Sequence, residues 1–148
     1  MTEGRPFILV GCDGTVGSDA ALRFAADEAH LRGARLLLIA AYDRPVDPDL
    51  DEFDITDDQL QARAHHAVQA NIGRALLPQP GIPPDHEIIV AQGDPAQVLL
   101  DHADGAVMIV IGSHDRGLLG RLFSRDTSRF LLHDTVVPIT VVPARVVV

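Results

Sequence analysis

The stretch Val107-Met108-Ile109-Val110-Ile111-Gly112-Ser113-His114-Asp115-Arg116-Gly117, with its later continuation Val136-Val137-Pro138-Ile139-Thr140-Val141-Val142-Pro143, decides the fold. An apolar run this short, ended by glycine, reads as a strand buried on both faces rather than as a helix. A polar loop, a helix near Asp126 to His133 and a second apolar run follow. Open α/β sheets place ligand sites beyond the carboxyl ends of such strands. Function is therefore sought in the loop that begins at Gly112.

Working outward, the same pattern recurs. Phe7-Ile8-Leu9-Val10 stops at Gly11-Cys12-Asp13-Gly14-Thr15 and reads as the first strand. Ser18 is the expected cap of the first helix; Leu22, Ala25 and Ala29 share its buried face, and Arg32 and Gly33 suit its end. Leu36 to Ala41 is too short for a helix and becomes the second strand. Thr56-Asp57-Asp58-Gln59 spells a capping box, and Ala64, Val68, Ile72 and Ala75 carry helical period to about Leu77, before Pro78. Pro80 to Pro84 is loop. Glu87 to Ala91 gives the third strand, and Gly93-Asp94-Pro95 opens a helix with Asp94 as N-cap, Val98 and Leu99 inside, and Gly105 at its end. Alternating strands and helices dictate an α/β fold: a single doubly wound, Rossmann-like domain over residues 1–148, with a five-stranded parallel sheet, helices on both faces and right-handed crossovers.

The totals narrow the function classes. At 148 residues the chain supports one substantial core, and its formal charge of −9 opposes nucleic acid or an anionic membrane as partner. All twelve basic residues are arginine. Without lysine there is no Schiff base, no P-loop amine and no receiver-domain lysine. No apolar run approaches the roughly 20 residues that cross a bilayer, and Met1-Thr2-Glu3-Gly4 lacks a basic leader region, so a cytoplasmic chain is expected. Cys12, the one cysteine, fits a reducing compartment and a small buried hydrophobe rather than a reactive thiol. Asp43 to Asp58 holds eight acidic residues in sixteen; without EF-hand spacing it reads as a solvated connector rather than a metal site. Arg145-Val146-Val147-Val148 is either an extension of the last strand or a frayed tail.

Two glycine-rich turns lead into helices and present N–H groups suited to anions: Gly11-Cys12-Asp13-Gly14-Thr15 and the loop after Gly112. The spacing Gly11-x-x-Gly14-x-x-Gly17 is not the dinucleotide fingerprint. Taken together, Ile8-Leu9-Val10-Gly11-Cys12-Asp13-Gly14-Thr15, the alanine-rich first helix, Gly93-Asp94-Pro95, and Val110-Ile111-Gly112-Ser113 through Pro138-Ile139-Thr140-Val141-Val142-Pro143 resemble a universal stress protein domain. The resemblance runs nearly the length of the chain. It implies a five-stranded parallel sheet, a homodimer through strand five (Val136 to Val142), and a cleft that in some members holds ATP or a related adenine nucleotide.

In nucleotide-binding members the loop reads G-x2-G-x9-G-[S/T]. Laid on this chain it gives Gly112, then Asp115, Arg125 and Asp126, so only the first glycine remains. Shifting the frame to Gly117 and Gly120 puts Phe130 where the next glycine belongs. Asp115 and Arg125 add bulk and restrict φ, while Asp126 can cap the last helix with its own carboxylate. Asp13, which matches the acidic residue beside the nucleotide, could pair with Arg125 or Arg116 in an empty cleft. The resemblance and these changes imply a regulatory protein without catalytic activity, its nucleotide binding weak or lost, acting through an unidentified protein partner. The alternative is an adenine-nucleotide sensor using Asp13, Gly112, Ser113, Arg125 and Thr127, with Ser124 and Ser128 as further donors. A small α/β hydrolase or nucleotidyl transferase lacks a placed nucleophile. Ser113-His114-Asp115 is no triad, because adjacent loop residues do not face one another. His65 and His66 face different directions on a helix and His30, His86, His102 and His133 are dispersed, so they make no zinc set and read as surface or core-edge residues.

Overall fold

In the computed structural model the described residues are 4–43, 56–76, 85–114, 118, 120 and 137–143. The connector at 44–55, the segment bearing Asp115, Arg116, Arg125, Asp126 and Thr127, and the tail at 144–148 lie outside them. The elements run β1 (Phe7–Gly11), α1 (Val16–Arg32), β2 (Arg35–Tyr42), α2 (Asp57–Ala75), β3 (His86–Gln92), α3 (Pro95–Asp101), β4 (Met108–Gly112) and β5 (Ile139–Val142). The five strands form one sheet in the order β3-β2-β1-β4-β5, and each neighbouring pair is parallel.

The apolar strand runs are explained by a core on each side of the sheet. Ile8, Val10, Leu36, Leu38, Met108 and Val110 face α1 and α2, where Leu22, Ala25, Ala29 and Val68 meet them. Leu9, Ile39, Ile109 and Ile111 point the other way, against Val98, Leu99, Leu118 and Val137. Alternate residues of one strand thus enter opposite cores, and no position on the central strands is free to be polar. Alanines on the inner face of α1 let that helix lie close to the sheet. Full burial of a leucine or isoleucine contributes roughly 1.5–3 kcal/mol, so β1 and β4 anchor the domain.

Several expected boundaries move, each for a local reason. Thr15, not Ser18, caps α1: its hydroxyl accepts the Ser18 N–H, and Ser18 stands at the third helical position. Gly33 closes α1 in the left-handed region at φ +61°, as expected. Thr56 and Gln59 form the full capping box of α2, and Asp94 with Pro95 opens α3. Helix α3 ends at Asp101, well before Gly105, which instead turns the chain into β4 at φ +84°. Pro138 lends its carbonyl to Ile109 but has no N–H to return, so β5 begins at Ile139, after Val137 and Pro138, while Val136 lies outside the described residues.

Connection β1-α1-β2 moves outward in one direction, whereas β4 returns to the other side of β1. The reversal opens a crevice at the carboxyl ends of β1 and β4, where sheets of this kind bind ligands.

Candidate functional site

The crevice is built first by the turn after β1. Cys12 continues the sheet through its N–H to the Ile39 carbonyl (2.9 Å) and is 5% exposed. Burial, then the nearby charges of Asp13 and Asp19, push its thiol far above the usual range, so Cys12 is an inert wall. Asp13 comes next and points back over the start of α1. Its Oδ1 accepts from the Thr15 N–H (2.9 Å), the Ser18 hydroxyl (2.9 Å) and the Thr15 hydroxyl. Its Oδ2 lies 3.1 Å from Nε2 of His114, a residue that arrives from the far side of the crevice after β4. Burial raises the Asp13 carboxyl, but hydrogen bonds from Thr15, His114 and Ser18 outweigh it and hold the group below the usual carboxylate range.

The proton positions follow from the donor inventory. Thr15 has one hydroxyl hydrogen, and it goes to Asp13; a carboxylate has none to give. The imidazole Nε2 also lies 2.9 Å from the Thr15 hydroxyl oxygen, so Nε2 carries the proton and shares it between that oxygen and Asp13. His114 is a donor here, not a base.

Two glycines make room for the ring. A Cβ on Gly17 would stand 2.2 Å from His114 Nδ1, and one on Gly112 would stand 2.5 Å from the same atom. Gly17, in the first turn of a helix that costs about 1 kcal/mol for a glycine, is accounted for by this seat. Behind the ring lies a small cleft of about 70 Å³, open to solvent and walled by Ile39, Ala41, Pro95, Leu99, Ile111 and Leu118, with Asp13, Ser18 and His114 as its polar groups. A few polar groups over an apolar wall is the usual make-up of a small-molecule site.

Of the expected site residues, Asp13 and Gly112 line this cleft. Ser113 sits beside it, its N–H committed to the Val142 carbonyl at 2.9 Å. Asp115, Arg125, Asp126 and Thr127 lie outside the described residues, as do Arg116 and the expected Asp13 pairings with arginine. The partner that Asp13 has across the crevice is His114, a residue that sequence reasoning named only in setting aside a Ser113-His114-Asp115 triad. The available signal was Gly17, a helical glycine that neither cap nor turn requires. Among the described residues no three His, Cys, Asp or Glu side chains gather as metal ligands.

The universal stress protein family model matches residues 7–143, which takes in every strand and the whole cleft wall. The chain belongs to the universal stress protein family. A universal stress protein of Mycolicibacterium smegmatis is 31% identical over 140 residues, covering 91% of this chain and 47% of that protein. The chain thus spans about half the length of that relative. A universal stress protein of Thermus aquaticus is 31% identical over 137 residues, covering 91% of this chain and 96% of its own length. Among solved structures, a universal stress protein in complex with cAMP superposes with a TM-score of 0.64 at 23% identity, covering 95% of this chain and 98% of that one. That likeness establishes the shared fold. Among the described residues of this family member, no helix is long and apolar enough to cross a membrane.

Proposed function

We propose that this universal stress protein domain, taken as the whole of residues 1–148, is a non-catalytic regulatory protein of the cytoplasm whose adenine-nucleotide binding is weak or lost. The observation that carries this reading is the engagement of Asp13 by the chain's own donors. Both carboxylate oxygens are supplied by the chain's own donors, and His114 stands across the crevice where a ligand would approach Oδ2. A nucleotide that takes Oδ2 competes with His114 for it, against a hydrogen bond worth about 1.5–3 kcal/mol when the acceptor is charged. The altered positions Asp115, Arg125 and Asp126 weigh in the same direction, since two carboxylates replace groups that neighbour phosphate in binding members.

The non-catalytic part of the reading is supported by the direction of the Thr15 hydrogen bonds. The hydroxyl gives its proton to Asp13 and receives one from His114, the reverse of a base activating a nucleophile. Regulation then proceeds through protein contacts, with a homodimer paired along β5.

A second reading, an adenine-nucleotide sensor, is favoured by the cleft itself. Its apolar wall suits the face of a planar base, and a protein of similar fold was solved with cAMP. Thermal unfolding with millimolar ATP and Mg²⁺, and separately with cAMP, tests the two. Ligand at a hundred times its Kd adds ~2.7 kcal/mol, a rise of roughly 5–10 °C for a domain of this size. An unchanged Tm supports weak or lost binding; a rise of that size overturns it and establishes the sensor. Steady release of phosphate or AMP, abolished in Asp13→Ala, overturns the absence of catalysis.

A further inference from the structure

The loop that carries Asp13 and Thr15 on its front is held from behind by α2. Gly14 has φ +84°, and a Cβ there would stand 2.8 Å from the Cβ of Ala67, so loop and helix meet with no space between them. Asn71 and Arg74 follow Ala67 on the same face of α2, four and seven residues on. Asn71 is fully buried: its Oδ1 accepts the Gly14 N–H at 2.8 Å, and its Nδ2 donates to the Thr15 carbonyl at 3.0 Å and to Asp19 Oδ1 at 2.6 Å. Arg74 donates through Nε to Asp19 Oδ2 at 2.7 Å and through Nη2 to the Gly14 carbonyl. Only a carboxamide offers an acceptor and two donors at one point, which is why asparagine stands at 71.

We infer that Asn71 and Arg74 are positioning residues of the cleft, holding the backbone of Gly14 and Thr15 in the conformation in which Asp13 and Thr15 receive His114. The inference rests on the reading of this cleft as the functional site. A tie between α1 and α2 alone would need nothing beyond Asp19. Instead three backbone groups of the loop, the Gly14 N–H, the Gly14 carbonyl and the Thr15 carbonyl, are bonded to α2 side chains. The carboxylate opposite them, Asp13, takes the next N–H along, that of Thr15. The loop is therefore pinned on both faces, and loosening the rear face frees the front.

The test uses the ligand-free protein. Arg74→Gln removes the fork from a side chain that is 43% exposed, so the fold survives, and Asn71→Leu removes the buried carboxamide. Val68→Ala, in the core on the same helix, serves as a variant destabilised without touching the loop. Amide hydrogen exchange at Gly14 and Thr15, the NMR titration of the Asp13 carboxyl and the His114 ring resonances are compared. Arg74→Gln is expected to speed exchange at those two amides about tenfold relative to the rest of α1, return the Asp13 carboxyl toward the usual range and shift the His114 ring. Asn71→Leu is expected to do the same; if it does not fold, Arg74→Gln decides. The inference is overturned if Arg74→Gln moves Asp13 and His114 no more than Val68→Ala does at an equal drop in Tm. None of these readouts involves a nucleotide, so a wild-type protein that binds none leaves the outcome unaffected.

Discussion

At the scale of single residues, Gly17 and Gly112 both face the His114 ring, yet they differ in what else they touch. At Gly17 the three nearest atoms to an added Cβ all belong to the His114 ring, which can swing away; at Gly112 the Gly17 carbonyl oxygen also lies at 2.9 Å, and backbone cannot. Gly17→Ala gains ~1 kcal/mol of helix propensity and loses hydrogen bonds of similar worth, so its Tm is expected to stay within about 3 °C while His114 leaves Asp13. Gly112→Ala must part β4 from α1 and is expected to cost about 1–3 kcal/mol. Urea unfolding, with a crystal structure of the first variant, checks both; a large loss in Gly17→Ala with His114 still in place contradicts this account. Asp13 gives a pH prediction. Its folded-state pKa is depressed, so its contribution is fully present above the unfolded carboxylate value of about 3.9 and is lost as pH falls through the lower folded value. Asp13→Asn is therefore expected to show a shallower acid limb in a plot of stability against pH below about pH 4, with curves of equal slope overturning the assignment. The side chain is 44% exposed, so solvent screening keeps the effect small.

At the scale of elements, what was legible was periodicity. The residues expected on the inner faces of α1, α2 and α3 are the ones that pack there, because apolar spacing and burial share one physical cause. Helix starts were legible where the cap acts within its own segment, as in Thr56 with Gln59 and Asp94 with Pro95. The start of α1 was misplaced because Ser18 has a second use: its hydroxyl is drawn to Asp13, leaving Thr15 to cap. The end of α3 was misplaced because Gly105 serves the entry to β4, not the helix. At the site, Asp13 and Gly112 could be named from motif, while His114 could not. Its role depends on a ring crossing from β4 to meet a loop about a hundred residues earlier in the chain.

At the scale of the whole molecule, the strand order leaves β3 and β5 as edges, and they are unlike. Strand β3 carries the exposed charge of Glu87, while β5 carries no charge and offers Val141, 37% exposed. Among the described residues no strand pairs with the outer side of β5, and such an edge invites a second copy. Val141→Lys, at a position with little core contact, is expected to halve the mass seen in sedimentation; an unchanged mass contradicts the proposed dimer. By itself the sequence determined the number of strands, their parallel sense and the presence of a core on each side, because apolar runs alternating with helical periods admit one economical way of covering a sheet. It also placed the two glycine-rich turns, after β1 and after β4, that border the crevice. Only the tertiary structure decided what stands in that crevice. Whether Asp13 meets water, a nucleotide or an imidazole turns on which side chains reach it, and a contact between residues a hundred positions apart leaves no period in the chain to read.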